Sequence, residues 1–168
     1  MKQFILSVFL TAAGISAAQA DGCKAEEIAP LLTKFFATTG SKDCEAELKA
    51  LDVDEVWLAA CRKTQSSPNA AFLMEMNRRT KLTFKELRSK AGRDYAMVEF
   101  TGPEISEFMI KQLNVHMEGD CVAANNPFTQ AMEIECGEEY WRTIPVRTHP
   151  SAVPLSCEKG KWRIVGFD

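Results

Sequence analysis

Arg93-Asp94-Tyr95-Ala96-Met97-Val98-Glu99-Phe100-Thr101-Gly102-Pro103 is the run on which the architecture turns. Ala96, Val98 and Phe100 alternate with Tyr95, Met97 and Glu99, the two-residue period of a strand with one buried face, and Gly102-Pro103 halts it. The run therefore reads as the first strand. Before it the apolar period is helical, and after it short strand-like runs recur between turn signals. Helices followed by strands place the chain in the α+β class.

Upstream, Ile28, Leu31, Leu32, Phe35 and Phe36 share one helix face, which predicts a helix over 24–38 with Gly40 as a left-handed cap. A second helical stretch over 43–63 changes phase: Leu48 and Leu51 lie on one stripe, Val53, Val56, Trp57 and Ala60 on another. Asp52 followed by Glu55 has the spacing of a capping box, so two short helices are expected. The break matters for Cys44 and Cys61. A continuous helix would hold them roughly 25 Å apart at about 1.5 Å per residue, leaving Cys23 as the better partner of Cys61. A folded-back pair would let Cys44 and Cys61 bond. Ser67-Pro68 predicts the start of a helix through Phe72, Leu73 and Met76, and Thr83-Phe84-Lys85-Glu86 that of another before Leu87.

Downstream, Ile105, Phe108, Met109 and Gln112-Leu113 fit a short helix opened by Pro103, with a strand over 108–117 as the alternative. Asn125-Asn126-Pro127 marks a loop. Strands are then expected over 132–136, 140–146, 153–157 and 162–167, joined at Gly137-Glu138 and Lys159-Gly160 as an antiparallel meander.

The first twenty residues read as a leader. Lys2 supplies a positive start, 4–15 is almost wholly apolar, and Ala18-Gln19-Ala20 gives small residues before a cut after Ala20. Residues 21–168 would then form a single mature domain in the periplasm or outside the cell. No later segment approaches the roughly 20 apolar residues of a spanning helix, so no membrane span is expected. The chain has 20 Lys and Arg against 23 Asp and Glu, and Lys2 leaves with the leader. That acidic balance favours solubility, or a basic partner, and disfavours nucleic acid.

Cys23, Cys44, Cys61, Cys121, Cys136 and Cys157 are an even set in an exported chain, which reads as three disulfides. No two of them stand two to four residues apart as structural zinc sites require, so no metal is expected. Lipidation of Cys23 is the competing fate, although the position three residues upstream is Ala20 rather than a Leu.

The terminal run Val153-Pro154-Leu155 with Gly160-Lys161-Trp162 resembles the closing hairpin of small exported members of the nuclear-transport-factor-like, or cystatin-like cone, superfamily, and 93–98 is similar to their first long strand. The resemblance implies helices on the concave face of a curved sheet and a pocket that some relatives use for ligands or catalysis. The six cysteines depart from that family's usual pattern, and disulfides can brace the pocket shut.

Residues suited to catalysis are scattered. His116 and His149 are the only histidines, and His149 precedes Pro150 in an expected loop. His116, Met117, Glu118, Asp120 and Cys121 mix soft and hard ligand types, but sequential residues rarely converge on one ion. Ser67, Ser106 and Ser151 lack a nucleophile-elbow setting, and no glycine-rich loop cradles phosphate. Asp94, Tyr95, Tyr140 and Trp141 lie in expected strands where aromatic residues serve the core or its rim. Glu133, Glu135, Glu138 and Glu139 around Cys136 form an acidic edge, either guarding against sheet association or meeting a basic partner. The expectation is thus a non-enzymatic exported binding protein without cofactor, of the immunity or inhibitor kind. The alternative is a small-molecule binding protein, rarely an enzyme, using a pocket between helices and sheet walled by Trp57, Tyr140, Trp141 or Trp162.

Overall fold

The computed structural model describes residues 22–105, 110, 114–126 and 128–166. The expected leader, its expected cleavage site and most of the expected 105–113 helix lie outside them. A single 3-10 turn, Ala25–Glu27, leads into α1 (Ile28–Thr39), followed by α2 (Cys44–Ala50), α3 (Glu55–Gln65) and α4 (Ala70–Arg78). Strands β1 (Lys81–Lys90) and β2 (Arg93–Pro103) come next, then β3 (His116–Glu118), β4 (Cys121–Asn125) and β5 (Met132–Cys136). Helix α5 (Glu138–Thr143), β6 (Val146–Glu158) and β7 (Lys161–Ile164) complete the chain. The class is α+β, as expected.

The strands make two antiparallel sheets rather than one meander, in the orders β1-β2-β6-β7 and β3-β4-β5. Their partition follows from one long-range pairing: β2 joins β6 over ten residue pairs, from Asp94–Leu155 to Pro103–Val146, which leaves β3 to β5 to pair among themselves. Two corrections concern type. The 83–86 capping box lies inside β1, where Leu82, Phe84 and Leu87 pack on the core and a bulge between Phe84 and Glu86 breaks their alternation. The expected 140–146 strand is instead α5 and its exit, opened by Gly137 at a φ of 70° and held down by buried Trp141.

Smaller corrections follow the same logic. Gly40 ends α1 at a φ of −94°, so its role is close approach: a Cβ there would sit 3.3 Å from the Met74 carbonyl on α4. The helix after Ser67-Pro68 begins at Ala70, because the Ser67 hydroxyl accepts the Asn69 N–H in a turn first. His149 lies within β6 and not in a loop.

The expected break between the second and third helices is real. Asp52 has a φ of 53°, turning the chain so that α3 runs back beside α2 and Cys44 bonds Cys61. The turn is not a capping box, since the N-cap is Asp54 and its carboxylate accepts the Gly166 N–H instead. Arg62 donates to Glu45 and Glu55 across the same seam, and with Lys49 it holds the Glu45 carboxyl down at about 2. The other bridges are Cys23–Cys157, tying the N-terminal turn to β6, and Cys121–Cys136, closing the β4–β5 hairpin. No described cysteine is free.

The buried residues fall into two groups. In the larger, Ile28, Leu32, Phe35, Leu48 and Leu58 from the helices meet Ala96, Val98, Val153, Leu155 and Ile164 of the large sheet. In the smaller, Phe72 of α4, Ile110, Val115, Val122 and Trp141 join α4 and α5 to the small sheet. No helix among the described residues is long and apolar enough to cross a membrane.

Candidate functional site

The β4–β5 hairpin is the most exposed apolar feature among the described residues. Five register pairs, Cys121–Cys136 through Asn125–Met132, set its two faces. Val122 and Ala124 turn inward onto the smaller core. Side chains alternate along a strand, so Met132, Ile134 and Cys136 share one face with Ala123, which is itself fully buried, and Glu133 and Glu135 share the other with Val122 and Ala124. Every residue of β5 is exposed, with Met132 at 46% and Ile134 at 56%.

The hairpin is clamped at both ends. Its base carries the Cys121–Cys136 bridge and the Gly137 N–H bond to the Asp120 carbonyl. At its tip Asn126 organises the turn: its N–H donates to the Ala131 carbonyl, its carbonyl accepts from Gln130, and its side-chain oxygen accepts the Phe128 and Thr129 N–H groups. The Asn126 amide also donates to Glu133 at 2.6 Å. These bonds hold up Phe128, which is 93% exposed. An aromatic side chain this exposed is a candidate contact point.

The hairpin and its exit are acidic in sequence, with Arg79 of the helical layer paired to Glu138. From Asp120 to Trp141 the sequence holds Glu133, Glu135, Glu138 and Glu139 but no Lys or Arg. Burial, and then the Glu135 charge, push the Tyr140 hydroxyl pKa above its ordinary value. On the neighbouring β3, His116 faces the Asn114 carbonyl and the Glu118 carboxylate, each at 3.2 Å, and both raise its pKa.

The aromatic residues expected to wall a pocket are divided between the two cores. Trp57 meets Phe35 edge-on at 5.1 Å and donates its indole N–H to the Val165 carbonyl, while Trp162 donates to the Lys24 carbonyl beside the Cys23–Cys157 bridge. Trp141 stacks on Phe72 at 5.4 Å, with Tyr140 edge-on to it. Trp57 borders a crevice of about 110 Å³, and Trp141 borders an open surface groove with Arg79 and Glu138. No cavity among those described brings the four together. Cys121 is oxidised, which takes the soft ligand out of the His116 cluster.

Exposed Phe128, Met132 and Ile134 were not singled out as site residues in the sequence, where the acids around Cys136 gave the only signal. The chain matches no protein-family model, no curated protein and no solved structure.

Proposed function

We propose that this chain is an exported, non-enzymatic binding protein of the periplasm, an immunity or inhibitor protein that covers a secreted effector with its β4–β5 hairpin. The carrying observation is the juxtaposition on that hairpin of exposed Phe128, Met132 and Ile134 with an acidic margin free of Lys and Arg. Apolar anchors supply affinity once desolvated, and surrounding charge supplies orientation and a fast encounter with a basic surface. Three disulfides support an oxidising compartment, and the leader reading supports export to it. Core side chains pack between the helices and the large sheet, and the groove of about 470 Å³ where α1, α4 and β1 meet is lined by none of Trp57, Tyr140, Trp141 and Trp162, which supports recognition at the hairpin over a pocket walled by those residues. The cone-superfamily resemblance belongs to the same proposal and rests on the sequence runs 93–98 and 152–167.

The test is capture from periplasmic extract by the tagged, disulfide-intact protein. A stoichiometric partner is retained, its retention falls as salt rises, and both Phe128→Ala and the double variant Glu133→Lys/Glu135→Lys lose it without loss of thermal stability. Retention of nothing, or equal retention by all three proteins, overturns the reading.

A further inference from the structure

The hairpin has a free edge as well as an exposed face. Among the described residues β5 pairs only with β4, and the bonds flanking the ladder fix which peptide groups remain open. Asn126 N–H bonds the Ala131 carbonyl at one end and Gly137 N–H bonds the Asp120 carbonyl at the other. Bonded and non-bonded pairs alternate in an antiparallel ladder, so Glu133 and Glu135 bond inward to Ala124 and Val122. The N–H and C=O groups of Met132, Ile134 and Cys136 therefore point away from β4, on residues whose own side chains are exposed.

We infer that the partner adds an extended, basic segment as a fourth strand along β5. This rests on the binding role given to the hairpin above and names how the partner engages it. Outward peptide groups of Met132, Ile134 and Cys136 bond the incoming strand, and its apolar residues continue the face that carries Met132 and Ile134. In antiparallel addition Glu133 and Glu135 fall at the non-bonded pairs, where opposing side chains come closest, so Lys or Arg at alternate positions of the added strand meets them. A second copy of β5 would instead place Glu opposite Glu. The acids thus exclude self-pairing and select a basic strand.

The probe is a soluble peptide of about seven residues alternating Lys with Val or Thr, titrated into the isotope-labelled, disulfide-intact protein. Slowed amide exchange at Met132, Ile134 and Cys136 is expected, with no binding when Glu replaces Lys in the peptide. Ile134→Pro removes an outward N–H without touching the β4 ladder, so it is expected to fold, as circular dichroism checks, and to weaken the peptide by about tenfold or more. Ile134→Val is expected to bind as the parent does. Unslowed exchange at those amides in the unsubstituted protein, or undiminished binding by folded Ile134→Pro, overturns strand addition. If Phe128→Ala loses the periplasmic partner while Ile134→Pro keeps it, strand addition is overturned and the docking role of the hairpin stands.

Discussion

Arg79, at the end of α4, and Glu138, at the start of α5, are 59 residues apart in sequence and share two hydrogen bonds of 2.8 and 2.5 Å. The same guanidinium lies 4.7 Å from the centre of the Trp141 ring and bonds Glu75, so one side chain fastens α5, and the acidic hairpin leading into it, to the helical layer. Arg79→Ala is expected to cost about 1–2 kcal/mol from the lost ion pairs and cation–π contact, read by denaturant titration. Hydrogen bonds from Arg79 hold the Glu138 carboxyl below its ordinary pKa. Its contribution is therefore present above the unfolded-state value and lost as pH falls through the lower folded value, and Glu138→Gln removes that part of the acid limb.

How much of this could be read beforehand varies by element. Helix α1 and strand β2 were legible because each buries one face over an unbroken period. The turn at Asp52 was legible because the apolar stripe changes phase across it. Strand β1 was not, since the bulge after Phe84 shifts Leu87 out of alternation while Thr83 and Glu86 mimic a helix start. Helix α5 was mistaken for a strand because so short a segment, with Tyr140 and Trp141 side by side, carries no clear period. The pairing of β2 with β6 is long-range and has no local signature. At the candidate site the acids were visible, but exposure of Phe128 depends on the Asn126 turn, which composition does not reveal.

Gly102 lies against Thr80, where a Cβ would come within 2.4 Å of the hydroxyl oxygen and 2.8 Å of the Thr80 Cα. The second contact is with backbone and cannot rotate away. Gly102→Ala is expected to destabilise by about 1–3 kcal/mol in thermal or denaturant unfolding, whereas Gly92→Ala, with open space around its Cβ, strains only its own positive φ.

His116 is expected to titrate above the ordinary 6.5, owing first to the Asn114 carbonyl and then to Glu118. A raised folded value means that its stabilisation is full below the unfolded pKa and disappears as pH rises through the folded one. Imidazole resonances followed by NMR, with Glu118→Gln lowering the midpoint, check the sign.

The covalent frame predicts a ranking. By loop-closure entropy, Cys44→Ala/Cys61→Ala opens a separation of 17 residues and costs about 3 kcal/mol, and Cys23→Ala/Cys157→Ala opens one of 134 and costs about 5. Denaturant midpoints of the paired variants give the order, and non-reducing peptide mapping gives the connectivity.

The most direct test of the role proposed for the hairpin places a photo-crosslinking phenylalanine analogue at position 128 and irradiates the disulfide-intact protein in periplasmic extract. A discrete adduct joined to a partner through an apolar site flanked by Lys or Arg is the predicted result. No adduct, or the same adduct when the analogue is placed at exposed Val56 instead, would contradict it.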